Sequence, residues 1–438
     1  MAQVLRRNWF VFVASLTLAV VSMTLFSQAL GLKGVAYADP QGIKYTGAGA
    51  CSAVACHGAA APKEGGMATR HNENSTWNKD DHHSKSFSGK KGLVSKESAE
   101  IAKKMGIADA TKEGRCLNCH AVSELKFKEG ATTRVPLTKE QMGAKFAIED
   151  GVSCDACHGP ASKYLDPHTA AGWTQKQRAN GAQKVYDEWG LLDTKDLKFR
   201  ANICISCHLK IDADMVAAGH PELPFELSFY SAASTEDAFS GAYAGIHWRD
   251  KQPFYAAKAW AMGQVVSLRE SAAQLAERTA AKADAKILEA SQNKVLAHAV
   301  LSRQVAKIVD PASQEAIDKA LKDPKALVAA AEALADKVNK INVDQAMTEK
   351  FIQAVAAEGE QAGNIGYAGG EQVTWSLKSL AIVLGKDGKK DVAKQMEKID
   401  ALYEPMGDSA TYDKAKYVEA VKGVAGDWAG GASIPLPK

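Results

Sequence analysis

Eight cysteines fall into four pairs along the chain, and the residue after the second cysteine of every pair is a histidine. Three pairs share one spacing: Cys116-Leu117-Asn118-Cys119-His120, Cys154-Asp155-Ala156-Cys157-His158 and Cys204-Ile205-Ser206-Cys207-His208. The first, Cys51-Ser52-Ala53-Val54-Ala55-Cys56-His57, carries two extra residues between its cysteines. With 11 histidines in 438 positions, one behind all four second cysteines by chance has a probability of roughly 4 × 10⁻⁷. Disulfides or zinc would account for paired cysteines but not for these histidines. Covalent haem attachment accounts for both. Two thiols add to the vinyl groups of one haem edge, and the following histidine turns under the ring to bind the iron as its proximal ligand. The reading is therefore four covalently bound c-type haems with His57, His120, His158 and His208 as proximal ligands. The longer first loop can still reach, because only Cys56 and His57 must keep their local geometry; the alternative there is an unmodified thiol pair.

No cysteine is left for a disulfide framework, so packing around the macrocycles must hold this part of the chain. The stretch from Gly47 to His247 is rich in Gly, Lys, Asp and Ser and lacks long amphipathic periodicity, which predicts loops and short helices wrapped on a haem core. Seven further histidines, His71, His82, His83, His168, His220, His247 and His298, are available as sixth ligands, and four suffice. No pattern supports ligation by Met67, Met105 or Met215.

The chain begins with an export signal. Arg6 and Arg7 precede an uncharged, mostly apolar run from Asn8 to Leu32, and Ala36-Tyr37-Ala38 is a small-x-small cleavage pattern. Residues 1–38 are read as a signal peptide and the protein as periplasmic. The run is also long enough to span a bilayer, so an uncleaved leader would make the protein membrane-anchored. Arg6, Arg7 and Lys33 account for the formal charge of +3, so acids and bases balance in the remainder, which argues against a nucleic-acid partner.

Trp77 and His83-Ser84-Lys85-Ser86, together with Cys116–His120, Gly151-Val152-Ser153-Cys154-Asp155-Ala156-Cys157-His158-Gly159-Pro160 and Cys204–His208, resemble the tetrahaem cytochrome c-554 family and related multihaem cytochromes. The resemblance covers about residues 45–265. It implies that His83 and His168 are distal ligands, with His82 the rival of its neighbour. Ala218-Gly219-His220-Pro221-Glu222-Leu223 and His247-Trp248 also resemble elements of that wider family, which makes His220 and His247 the remaining candidates. It further implies a five-coordinate haem at the second motif, unless His220 or His247 closes it.

From about Ala256 to Ala432 the pattern changes. Val265, Leu268 and Leu275, then Ile287, Leu288, Val295, Leu296, Val300 and Leu301, recur at helical steps. Asp310-Pro311 and Asp323-Pro324 suit helix starts, and Gly385-Lys386-Asp387-Gly388 suits a break. Alanine abounds and no aromatic residue occurs from Ala261 to Lys350, which predicts closely packed helices without a cofactor pocket; His298 is read as a polar or half-buried helix residue. The expected fold is thus mainly α: a signal segment (1–38), a loop-rich tetrahaem domain (39–255) and an α-helical domain (256–438) serving support, homo-dimerisation or partner docking.

Bis-histidine iron has no open position and suits outer-sphere electron transfer. The expected function is electron transport between redox partners, either other cytochromes or membrane quinol-oxidising or quinol-reducing complexes. The alternative is an enzyme that reduces or oxidises nitric oxide, nitrite or hydroxylamine at one open haem. Intact-mass analysis should find four haems per chain, one of them at Cys51/Cys56; three haems, with Cys51 and Cys56 open to alkylation, would refute attachment at that site.

Overall fold

The structure, a computed structural model, describes residues 42–63, 69–128, 131–232 and 252–437. The leader, Met67 and His247 lie outside the described residues. Among those described, no helix is long and apolar enough to cross a membrane.

The protein is mainly helical, and the character of its helices changes along the chain. Before residue 232 the longest described helix is the 12-residue Leu197–His208; the others are short turns of helix separated by loops. The segment also holds one antiparallel hairpin, Glu124–Lys128 against Ala131–Val135, with Glu124 opposite Val135 and Lys128 opposite Ala131. After residue 254 the chain runs through long helices, among them Tyr255–Ala280, Ala285–Val309, Pro324–Lys340 and Tyr367–Lys386. Asp310 accepts from the Ser313 amide at 3.1 Å and Asp323 from the Lys325 and Ala326 amides at 3.0 and 3.2 Å, with Pro311 and Pro324 as first helical residues. Each carboxylate satisfies amide groups that a helix start leaves unpaired, and the proline ring presets the first turn. The Tyr367–Lys386 helix stops at the Gly385–Gly388 break.

Tyr255–Ala280 is the central helix. It packs against Pro324–Lys340 and Ala285–Val309, and its small residues admit neighbours on nearly every side. Gly263 shows why: a Cβ added there would lie 2.7 Å from Leu227 Cβ, so only glycine allows this approach. Several long polar side chains inside the bundle are answered by one another. Gln264 donates to Gln372 Oε1 at 3.2 Å, and Arg269 donates to Glu332 at 2.7 Å and Asn202 at 2.8 Å.

The hydrophobic core does not divide at residue 255. Leu197, Ala201, Ile205, Leu209, Phe225 and Leu227, all from the cysteine-rich half, belong to one buried cluster with Trp260, Val265, Leu268, Val300 and Leu334. Polar ties follow the same seam: Gln274 donates to the Leu209 carbonyl at 2.6 Å, and Lys198 pairs with Glu332 at 2.7 Å. The physical reason is that Leu197–His208 is buried on most sides, so the face turned from its last-turn cysteines must be covered by the long helices. Each large apolar side chain buried here contributes ~1.5–3 kcal/mol. Five of them make the seam comparable to the ~5–15 kcal/mol net stability of a whole domain. Gly263→Val should therefore cost about 1–3 kcal/mol by overpacking against Leu227. In denaturant the helical circular dichroism and the haem absorbance should shift together; a helical signal that melts alone, with the haem signal unmoved, would mean two independent cores.

Candidate haem sites

All eight cysteines are free of disulfides, and each pair sits beside its own histidine. Gly114–His120, Cys154–His158 and the last turn of Leu197–His208 are helical, so cysteines three apart and the histidine one step on share a side of the helix. Glu113 starts the first of these by accepting from the Arg115 amide at 3.2 Å, and Asp196 starts the last by accepting from the Phe199 amide at 3.0 Å. Gly159, directly after the third motif, has φ 78°, and a Cβ there would lie 2.1 Å from the Gly190 carbonyl oxygen.

The first motif solves its extra length differently. The Ala48–Cys51 helix stops at its cysteine, and the chain then turns on itself: the Cys56 amide donates to Ala53 O at 2.8 Å and the His57 amide to Cys51 O at 3.3 Å. Outside partners pin the inserted loop. His71 Nδ1 donates to the Ala55 carbonyl at 2.8 Å and Lys63 Nζ to the Val54 carbonyl at 3.2 Å. Gly58 packs so closely that an added Cβ would lie 1.8 Å from Ser52 O.

Three histidine pairs face one another. The ring centroids of His57 and His168, of His83 and His208, and of His120 and His220 are all 6.2 Å apart, with interplanar angles of 10°, 83° and 78°. Direct ring packing would change its separation with the angle. An atom bonded to the tip of both rings would not, because the bonds run along the ring planes. Metal–nitrogen bonds of ~2 Å, with roughly 1.1 Å from nitrogen to ring centre on each side, give ~6.2 Å between centres. The residues present therefore fit a metal held between two imidazoles.

The remaining ring nitrogen is engaged on the far side in five of these six rings, His208 being the exception. Nδ1 of His57 lies 2.9 Å from Glu73 Oε2, that of His83 2.9 Å from Asp81 Oδ1, and that of His120 2.8 Å from the Ser86 carbonyl. His168 meets the Tyr164 carbonyl at 3.1 Å and His220 the Pro221 carbonyl at 2.9 Å. These oxygens only accept, so Nδ1 carries the proton and Nε2 keeps its lone pair toward the facing ring. Burial raises the Glu73 carboxyl, but the bonds from His57 and from the Arg70 amide outweigh it and bring it down to about 2. The same contact raises His57. Burial lowers His208 to about 3 and also lowers His120, so both stay neutral, as ligation requires.

His82 is exposed, whereas Asp81 accepts from both the amide and Nδ1 of His83 and turns that ring inward. His71 binds the first loop, as above, and His298 is buried in its helix with Nδ1 3.0 Å from Gln264 Oε1. His158, the histidine of the third motif, ends the Cys154–His158 helix, and its carbonyl accepts from the Tyr164 hydroxyl at 3.0 Å. The motifs also touch. Cys51 lies against Cys154, and Cys119 against Cys207, so motifs one and three adjoin, as do two and four. Among the described residues no three His, Cys, Asp or Glu side chains gather as a bare metal site.

Three residues that take part here were not singled out from sequence: Glu73, Asp81 and Arg134. Asp81 sits two before His83, a local signal of an aspartate turning back on its neighbour; Glu73 and Arg134 carry no such signal. The Arg134 guanidinium is buried and donates to Ser206 Oγ at 2.7 Å, Ala156 O at 3.0 Å and Ser123 O at 3.2 Å.

Residues 50–159, which take in the first three motifs, match the family model of cytochrome c554 and c-prime. The chain is similar to cytochrome c-554 of Nitrosomonas europaea, 28% identical over 149 residues, which cover 34% of this chain and 57% of that protein. The match thus spans little more than half the length of that relative. No solved structure matches the chain.

Gly58→Ala should push the first loop off Ser52 O and displace His57 and Cys56. The expected outcome by intact mass is a large fraction of chains with three haems, the missing one mapping to Cys51/Cys56 in a proteolytic digest. Full loading would mean that the loop yields without cost.

Proposed function

We propose that this chain is a tetrahaem c-type cytochrome that carries electrons between redox proteins outside the cytoplasm. His168, His220 and His83 close the irons borne by His57, His120 and His208. The single observation that carries this reading is the common 6.2 Å separation of the three ring pairs at very different interplanar angles. His247 is proposed for the iron of His158, as the candidate left once His83, His168 and His220 are assigned; it lies outside the described residues.

Haem iron, when bound, supplies a one-electron Fe(III)/Fe(II) couple. The protein's own groups fit that use. Two imidazoles per iron, with five of the six facing rings fixed by an outer hydrogen bond, keep the same ligands in both oxidation states and so limit the reorganisation that electron transfer must overcome. The contacts Cys51–Cys154 and Cys119–Cys207 bring neighbouring attachment edges together, which suits passage between sites. An enzyme acting on nitric oxide, nitrite or hydroxylamine would need an open iron. The one expected for that role, at His120, is a site whose ring faces His220.

Export to the periplasm is supported by Arg6-Arg7, the apolar run and Ala36-Tyr37-Ala38, and the family of the matched region is typically exported. The polypeptide's charges balance outside the leader, and each haem adds two propionates. Basic faces on partner cytochromes or on membrane quinol complexes are therefore proposed as the docking complement.

The test is spin state and ligand binding. The oxidised protein should show only low-spin iron, and the reduced protein should ignore carbon monoxide and nitric oxide on mixing. His83→Ala, His168→Ala and His220→Ala should each turn one iron high-spin without releasing haem, because thioethers and the proximal histidine remain. A wild-type high-spin iron that binds nitric oxide rapidly would overturn the carrier reading.

A further inference from the structure

Five arginines are buried among the described residues; Arg200 donates to the Thr194 carbonyl at 2.7 Å, and the other four divide into two kinds. Arg269, Arg278 and Arg303 are each at most 3% exposed and each reaches a carboxylate: Glu332 at 2.7 Å, Glu222 at 2.5 Å and Asp318 at 2.5 Å. Arg134, on the second strand of the hairpin, is 8% exposed and makes no ion pair among the described residues. Its acceptors are all neutral: Ser206 Oγ at 2.7 Å, Ala156 O at 3.0 Å, Ser123 O at 3.2 Å and Ile203 O at 3.5 Å. The nearby acids are occupied elsewhere. Glu124 pairs with Lys126 at 2.9 Å, and Asp155 accepts from the Gly47 amide at 2.7 Å.

Those acceptors lie within or beside three haem motifs at once. Ala156 precedes Cys157, Ser206 precedes Cys207, Ile203 precedes Cys204, and Ser123 closes the turn after His120. The second, third and fourth attachment sites thus meet around one buried guanidinium, while no residue of the first motif is among its hydrogen-bond partners in the described residues. A permanent charge left with neutral acceptors in a low-dielectric interior is costly unless something nearby of opposite sign compensates it. At the first motif the nearest charged side chain has the other sign: the Glu73 carboxylate lies 2.9 Å from His57 Nδ1.

We propose that Arg134 sets where electrons rest in this protein, holding them on the haems of the second, third and fourth motifs in preference to the haem of the first. The proposal rests on the tetrahaem reading above. Reduction adds one negative charge to an iron site, and a buried cation beside that site stabilises the added charge by Coulomb attraction that water does not screen. Glu73 acts oppositely at His57 by stabilising the oxidised state. Asp81, on His83 Nδ1, opposes Arg134 at the fourth motif, so the second and third gain most. Electrons arriving at the His57/His168 site therefore move on to the other three.

The ring geometry allows a test on the unaltered protein. The nearly parallel rings of His57 and His168 and the crossed rings of His83/His208 and His120/His220 give distinguishable low-spin EPR signals. In a stepwise reductive titration the crossed-ring signals should disappear first and the parallel-ring signal last. The reverse order would overturn the proposal. Absence of both bis-histidine signals would instead overturn the tetrahaem reading on which it rests. Variants then isolate the charge. Arg134→Gln should lower the potentials of the crossed-ring haems and leave the parallel-ring haem in place, while Arg134→Lys should titrate close to wild type, with haem number checked by mass. Unchanged potentials in a fully loaded Arg134→Gln, or equal shifts in both variants, would reduce Arg134 to a packing role and overturn the proposal.

Discussion

Holding pairs of imidazole rings at one separation is the constraint that organises the N-terminal half. His57 and His168, His83 and His208, and His120 and His220 come from distant parts of the chain and yet face each other at 6.2 Å. Rings that merely approached would be free to tilt and slide. These do neither, because every outer nitrogen except that of His208 has a named acceptor: Glu73, Asp81, Ser86 O, Tyr164 O or Pro221 O. His208 Nδ1 is buried without a hydrogen bond among the described residues, and packing against Phe225 and Tyr230 takes the place of one. The loops and short turns between residues 42 and 232 are the means of bringing these acceptors round to the rings.

The helical half enters through the same element. Leu197–His208 offers its last turn to the fourth motif and its other faces to the long helices, so Leu197, Ala201 and Ile205 are core residues of the bundle as well as neighbours of the attachment site. With no disulfide in the chain, that seam and the polar ties from Arg269, Gln274 and Lys198 hold the fourth motif in place. The helical half is in this sense the foundation of the fourth motif. Its small-residue composition lets Gly263 pass against Leu227 where a larger side chain would hold the two parts apart.

Electrostatics gives the cluster a direction. Carboxylates sit behind His57 and His83, carbonyls behind His120, His168 and His220, and one guanidinium without a carboxylate partner lies between the second, third and fourth motifs. Second neighbours of this kind tune a metal site without altering its ligands. Four attachment motifs of nearly the same sequence can in this way differ in their hold on an electron.

An attachment motif is local, and so it is read from the sequence alone. A cysteine, a second cysteine three on and a histidine next to it share a helix side by backbone geometry, whatever the rest of the chain does. Helical periodicity after residue 256 and the Asp-Pro starts at 310 and 323 were legible for the same reason, since each depends on neighbours within one or two turns. What faces what was not local. Nothing in the order of residues says that His168 meets His57 while His83 meets His208, or that Arg134 reaches Ser206 across the hairpin. The continuity of the core across residue 255 was hidden too, because periodicity reports that a helix has an apolar face but not which partner covers it. The tertiary structure decided those matters, since ring separation, buried charge and shared core are set by contacts between segments that the chain must first fold to bring together.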